Sequence, residues 1–233
     1  MKTINVTNAR QLRDINCIEL TISDPLTGKE EKSKFQDIRG GVSWPTTRAP
    51  AYFCIIGQEY RVPDYMGNRV QPGKRVLLAE YESESLHMLP FYEKILDRTE
   101  QMHCRSLYAE LAAGKISCGY QSDLIEYARS RGNSFCRVDH AYDADDFILG
   151  LSRIKGSIDN SDLIIPDDSI VIEQLRDITQ QDLEERPEQI FHAINGLRHV
   201  ISSFYRYPPT IKRRKEFPIQ TFERMDHRTH MSN

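Results

Sequence analysis

An α/β fold built on one mixed sheet is what this sequence predicts, and three observations predict it. The first half carries short apolar, β-branched and aromatic runs separated by turn residues, as strands do. The second half alternates 3.6-residue apolar periodicity with short strand-like runs. The chain has 233 residues, 39% hydrophobic and 28% charged, which is globular composition with enough length for a sizeable core.

Residues 1–16 read as a polar lead-in. Cys17 to Ile22 alternates polar and apolar positions, and Asp24-Pro25-Leu26-Thr27-Gly28-Lys29 supplies turn chemistry. The expected hairpin has its second arm from Lys32 to Ile38. Gly40-Gly41 precedes Val42-Ser43-Trp44, and Pro45 and Pro50 enclose a loop too constrained for a helix. Ala51 to Gly57 is the clearest strand. Arg75 to Glu82 is the next, expected to pair with it antiparallel across a long loop.

Helical periodicity then takes over. Leu89, Tyr92, Ile95 and Leu96 form an apolar stripe, and Cys104 to Ala109 reads as a short strand. Ser122 or Asp123 is placed to cap a helix bearing Leu124, Ile125 and Ala128 and ending at Gly132. Ser134 to Val138 is a strand candidate, Asp143 to Lys155 an acidic helical stretch, and Leu163 to Ile165 a further strand. Asp167 or Asp168 caps a helix with Val171, Leu175 and Ile178. A last helix is expected from Pro187 to Arg206, with Ile190, Ile194, Leu197, Ile201 and Phe204 on one face, stopped by Pro208-Pro209. A β-meander followed by αβαβα on one sheet is the order of the ribonuclease H-like fold. The organisation expected is an N-terminal lead-in and hairpin over 1–37, the main domain over 38–207 and a basic tail over 208–233.

Composition excludes several classes. Lys and Arg total 31 against 34 acids, a net charge of −3, and the isoelectric point is near 6.2. Bulk basicity therefore gives no sign of nucleic-acid binding, and any such contact needs a local patch. Mean hydropathy is −0.56, and no apolar run reaches the roughly 18 residues of a spanning helix. The polar start lacks the apolar centre of a secretory signal, so a cytoplasmic protein is expected. The 5 cysteines are scattered, with no Cys-x-x-Cys pair, which points to packing thiols rather than zinc or disulfides.

Three passages carry a family resemblance. They are Gly41-Val42-Ser43-Trp44-Pro45 with Ala49-Pro50-Ala51-Tyr52-Phe53-Cys54-Ile55-Ile56-Gly57; Leu107-Tyr108-Ala109-Glu110; and His192-Ala193-Ile194-Asn195-Gly196-Leu197-Arg198-His199-Val200-Ile201. Over residues 38–206 the chain resembles the nuclease domain of the large terminase subunit of tailed bacteriophages. The resemblance implies a role in cutting viral DNA during packaging, with double-stranded DNA as substrate. It also implies Mg²⁺ or Mn²⁺ held by acids, since hard cations take oxygen ligands and a pair of them stabilises attacking and leaving oxygens at phosphorus.

The chain departs from that pattern at the metal-holding positions. The first-strand acid position holds Ser43, the second holds Glu110, and the final-helix position holds Asn195. Serine and asparagine offer neutral oxygens only, so one carboxylate faces the repulsion of two divalent ions. The alignment thus predicts a weakened or inactive nuclease. Other acids offer a substitute set. Glu80, Glu82 and Glu84 fall on one face by period-two alternation, and Glu188 lies two turns before Asn195 on the expected helix. Asp37 lies upstream of Ser43, and Asp139, Asp143, Asp145 and Asp146 cluster later. Glu110 with Glu80 and Glu188 is the metal set considered first, and a solvated acidic surface is the plain alternative for the charge runs.

The remaining signals concern partners. The family's ATPase needs a Gly-x-x-x-x-Gly-Lys-Ser/Thr loop. Gly28-Lys29 and Gly73-Lys74 lack the preceding glycine and following hydroxyl, so no nucleotide cofactor is expected. A packaging ATPase on another chain, or another phage protein, is the expected partner, with no membrane contact. Lys212, Arg213, Arg214 and Lys215 form a basic run suited to phosphate or partner contact, or to plain solvation. His192 and His199 share a helix face, and Trp44 either stacks on a base or plugs the sheet end. The alternative to a nuclease is a catalytically inactive module of the same fold that binds a packaging or replication partner.

Overall fold

Strand pairing, rather than helix packing, organises this chain. The computed structural model describes residues 5–12, 17–23, 29–60, 73–83, 87–110, 115–133, 137–141, 146–185 and 187–206. Among them a sheet of eight strands runs through the molecule: β1 (Asn5–Leu12), β2 (Cys17–Ser23), β3 (Glu30–Ser43), β4 (Tyr52–Glu59), β5 (Arg75–Glu82), β6 (Ser106–Ala109), β7 (Arg137–His140) and β8 (Leu163–Ile164). The helices are α1 (Met88–Gln101), α2 (Lys115–Ser130), α3 (Phe147–Asp159), α4 (Ile170–Asp177) and α5 (His192–Arg206).

β3, β4 and β5 form an antiparallel meander. β6 then joins β3 in parallel, and β7 joins β6 in parallel. Numbered from β3, the spatial order is third, second, first, fourth, fifth. That order with those directions is the ribonuclease H-like fold, and each parallel step is made through a helix as chain connectivity requires. The β1–β2 hairpin extends the sheet beside the first half of β3, and β8 adds a parallel edge to β5.

Strand alternation sends side chains to two cores. Val42, Phe53, Ile55, Leu78 and Leu107 pack with Phe91, Ile95 and Leu96 of α1 and Leu124 of α2. Tyr52, Cys54, Ile56 and Leu77 pack with Ile154 of α3 and with Ile194, Leu197 and Ile201 of α5. A bulge in β5 lets Leu78 and Ala79 enter the same core in succession. α5 lies against β3 with almost nothing between the backbones: a Cβ on Gly41 would fall 2.1 Å from the Gly196 carbonyl oxygen. Glycine is required there by the close approach.

Several boundaries differ from the sequence reading. Residues 5–12 are not a lead-in but an edge strand that buries Val6 and half-buries Ala9 and Leu12; Thr7, Asn8, Arg10 and Gln11 face solvent, so no apolar run marks it. β3 does not break at Gly40-Gly41, because those glycines make room for Leu107 and for α5. Leu89 is 62% exposed and outside the stripe, which is Phe91, Tyr92, Ile95 and Leu96. α2 begins at Lys115, so Ser122 and Asp123 are interior to it. β7 covers Arg137–His140, and Ser134 to Cys136, where the expected strand begins, lie outside the described residues. Ser169, not Asp167 or Asp168, caps α4, its hydroxyl accepting from the Val171 N–H at 3.1 Å. The final helix starts at His192; Pro187–Gln189 is a separate 3₁₀ turn. Cys17, Cys54 and Cys104 are buried and form no disulfide, and burial pushes the Cys54 thiol well up, which suits a packing role.

Candidate functional site

The sheet brings the three family positions together at one end. Ser43 ends β3, Glu110 directly follows β6, and the pairing of Val42 with Ala109 sets them side by side. Asn195 arrives from the first turn of α5, held by the Gly41–Gly196 approach one residue away. His199, one turn on, fixes the helix along β3: its Nδ1 donates to the Val42 carbonyl at 2.9 Å, since a carbonyl can only accept.

Asn195 is fully buried and is the hub of a hydrogen-bonded network. Its Nδ2 donates to Glu110 Oε2 at 2.8 Å and to Ser43 Oγ at 3.0 Å. Its Oδ1 accepts from Arg198 Nη2 at 2.5 Å. The amide orientation is dictated by the partners: a guanidinium only donates and an ionised carboxylate only accepts. The other Glu110 oxygen accepts from the Trp44 backbone N–H at 3.3 Å. Arg198 is buried, over the Phe147 ring at 5.2 Å, so its charge reaches Glu110 through Asn195 in a low-dielectric setting.

Burial pushes the Glu110 carboxyl up, against the lowering effects of the Asn195 and Trp44 hydrogen bonds and the Arg198 charge; Glu188 adds to the rise. A carboxyl raised in the folded state binds its proton more tightly there than in the unfolded chain. Its contribution to stability is therefore full below the ordinary carboxylate range and is lost as pH rises through the higher folded value. Thermal unfolding followed across that range should show the stability of the wild-type protein relative to Glu110→Gln falling as pH rises, the two pH slopes differing by the Glu110 contribution. An unchanged slope in the variant would remove Glu110 as its source.

The remaining sequence candidates fall in different places. Glu188 sits in the 3₁₀ turn, not on α5, and the loop bearing Thr46 ties that turn to the sheet end through Thr46 Oγ1 and the Gln189 carbonyl at 3.0 Å. Glu188 is close enough for its charge to act on Glu110. Glu80 is committed elsewhere: it accepts from the Tyr52 hydroxyl at 2.9 Å, the Ser169 hydroxyl at 3.0 Å and the Ile170 N–H at 3.0 Å, and so anchors the start of α4. Glu82 faces His192 Nε2 at 3.2 Å. Asp37 pairs with Arg39 at 2.7 Å, Asp139 with Arg137 at 2.5 Å, and Asp146 caps α3. Glu84, Asp143, Asp145 and Lys212 to Lys215 lie outside the described residues.

His192 has a fixed tautomer. Gln174 Oε1 accepts from the Ala193 and Ile194 N–H groups, so its Nε2 is turned to His192 Nδ1 at 3.1 Å. That nitrogen must accept, which leaves the proton on Nε2, facing Glu82. Trp44 is buried and stacked with Tyr120 at 6.1 Å, so it plugs the sheet end and offers no face to a base.

These residues do not fit a divalent cation. Both oxygens of the one central carboxylate already accept from N–H groups, the NH₂ end of Asn195 points where ligand oxygens are needed, and a buried guanidinium stands behind it. Among the described residues no three His, Cys, Asp or Glu side chains gather as a metal requires. Arg198 was the residue the sequence reading missed. Its spacing of three from Asn195 on a helix, which puts both on one face, was the available signal.

No protein-family model matches the sequence, and no curated protein matches it. Among solved structures, the large terminase nuclease from thermophilic phage G20c with bound zinc is 8% identical, covering 88% of this chain and 95% of its own, at a TM-score of 0.45. The RuvC structure of Thermus thermophilus is 10% identical, covering 72% of this chain and 94% of its own, at 0.37. T. thermophilus RuvC in complex with a Holliday junction substrate is 10% identical, covering 74% and 97%, at 0.37. The strand order carries the fold assignment independently of these distant matches. No helix among the described residues is long and apolar enough to cross a membrane.

Proposed function

We propose that this chain is a ribonuclease H-fold module of viral DNA processing that acts by binding rather than by cutting. A hydrogen-bonded network stands in it where the fold's nucleases hold metal. One observation carries the reading: Asn195 donates to both Glu110 and Ser43 while accepting from Arg198. The N–H groups and the guanidinium supply the positive charge that a carboxylate at this place would otherwise draw from Mg²⁺ or Mn²⁺. The resemblance to terminase nuclease domains supports double-stranded DNA, and a packaging ATPase or other phage protein on a separate chain, as partners. The family's second reading, a metal-dependent endonuclease, draws its support from the nearness of Glu188 to Glu110.

Titration calorimetry with Mn²⁺ beside nicking of supercoiled plasmid separates the two. The wild-type protein is expected to show neither micromolar Mn²⁺ binding nor EDTA-sensitive nicking. The variant combining Ser43→Asp with Asn195→Asp is expected to gain Mn²⁺ binding, because it sets three carboxylates at one point. Micromolar binding and EDTA-sensitive nicking by the wild-type protein would overturn the proposal in favour of the endonuclease.

A further inference from the structure

β2 and β6 share one edge of β3, and their first residues meet there from opposite directions. The rung with β2 nearest the meeting point joins Ile18 to Phe35, and the nearest with β6 joins Ser106 to Arg39. Residues 36–38 of β3 lie between them, about 10 Å of strand. A bulge at Gln36 interrupts the pairing with β4 at the same point. The space left is a cavity of about 150 Å³, lined by Gln11, Gln36, His103, Arg105 and Ser106. Ile18 and Ile38 add an apolar part to its wall, and Asp37 adds a carboxylate.

The charged groups of this wall differ in how they are paired. Asp37 is committed to Arg39: its Oδ2 accepts from Nε at 2.8 Å and lies 2.7 Å from Nη2. His103 is tied to β1, its Nε2 donating to the Ala9 carbonyl at 3.3 Å. Arg105 is exposed, and its Nη2 donates only to a neutral group, Gln11 Oε1 at 3.3 Å. Among the described residues no carboxylate stands within ion-pair distance of Arg105. That bond takes the Gln11 oxygen and leaves its NH₂ as a donor. The backbone of His103 is left-handed, with φ 53°, where α1 ends and the Cys104 N–H reaches the Thr99 carbonyl at 2.8 Å. Glycine is the usual residue at such a helix end, so a histidine there holds strain in the cavity wall.

We propose that this cavity binds a small organic carboxylate, with Arg105 as its charged anchor. One cation without a counter-charge matches one negative charge, and a guanidinium fork matches the two oxygens of a carboxylate. The Gln11 and Gln36 amides and the Ser106 hydroxyl supply further donors. Ile18 and Ile38 suit a short carbon stem, which an inorganic anion lacks. The nearby Asp37 carboxylate repels a doubly charged phosphate more strongly than a monoanion. Size narrows the class: the cavity far exceeds the roughly 10–15 Å³ that one water needs, yet falls below the about 300–1,000 Å³ of pockets for drug-sized ligands. The ligand is therefore of the size of a short-chain acid or an amino acid. Four residues of chain along β6, about 13 Å, separate Ser106 from Glu110. The cavity uses none of the Glu110 network, so the Mn²⁺ result does not bear on it.

Thermal unfolding of the full chain, titrated with butyrate, glycine or inorganic phosphate at constant ionic strength, tests the proposal. Butyrate or glycine is expected to raise the Tm and to saturate, while phosphate does not. A larger effect of butyrate identifies a plain acid as the ligand, and a larger effect of glycine an amino acid. Arg105→Gln is expected to weaken the apparent affinity at least about tenfold, and Arg105→Lys to retain part of it. Three results overturn the proposal: no rise with either carboxylate, an equal rise with phosphate, or a rise that Arg105→Gln leaves unchanged. If the glutamine variant loses its unfolding transition, phenylglyoxal labelling of the wild-type protein decides. Protection of Arg105 by the stabilising carboxylate supports the site, and equal labelling with and without it overturns it.

Discussion

Asn195→Leu is expected to cost about 3–5 kcal/mol of folding stability, the range for removing one partner from a buried charged network. Leucine is close to asparagine in size, so the loss arises from polarity rather than from a cavity. Three groups lose a partner together: Glu110 Oε2, the Ser43 hydroxyl and the Arg198 guanidinium. Ser43 and Arg198 are buried at the junction of α5 with the sheet, where water cannot replace the amide, and Glu110 is half-buried beside them. Against a total stability of about 5–15 kcal/mol for a domain, such a loss should lower the urea midpoint sharply in a circular-dichroism titration. A change under about 1 kcal/mol would mean that Arg198 and Glu110 pair directly once Asn195 is gone.

Gly41→Val is expected to be at least as damaging. The first atom added would lie 2.1 Å from the Gly196 carbonyl oxygen and 3.2 Å from Val200 Cβ. Overpacking elsewhere costs about 1–3 kcal/mol because side chains can move to new rotamers. Here the obstacle is helix backbone, so α5 must shift as a body, and every contact it makes with β3 and β4 shifts with it. A loss of about 3 kcal/mol or more in urea is the expected reading. Gly156→Ala is the control: nothing lies within 4 Å of the added atom on α3, and replacing an interior helical glycine should gain about 0.5–1 kcal/mol. Equal behaviour of the two variants would show that α5 can slide on the sheet.

The sequence made the central features legible for physical reasons. Apolar, β-branched runs bounded by glycine and proline located β4, which is buried on both faces, and β5, which is buried at its centre over Leu77, Leu78 and Ala79. Ser43, Glu110 and Asn195 meet because a strand end, a parallel neighbour and a helix start converge at one sheet end. What remained hidden depends on tertiary context. β1 is an edge strand of mostly polar residues, so it has no apolar signature. Glu188 looked helical, but the chain turns at Phe191 before α5 begins. Glu80 looked available for metal, and only the structure shows it committed to Ser169, Ile170 and Tyr52. The orientation of the Asn195 amide, which decides the chemistry of the site, is set by Arg198 and has no expression in composition or spacing alone.

β3 has a further consequence for association between copies. One of its edges is covered along residues 35–43 by β4. The other is divided: residues 30–35 pair with β2, and residues 39–42 pair with β6. A chain lacking the β1–β2 hairpin would leave the first half of that edge as a row of unpaired N–H and C=O groups beside the buried Phe35 and Ile38. Such an edge is a template for strand addition. The hairpin thus acts as a guard against sheet-to-sheet aggregation, moving the open edge outward to β1, where Thr7, Asn8, Arg10 and Gln11 make a poorer template.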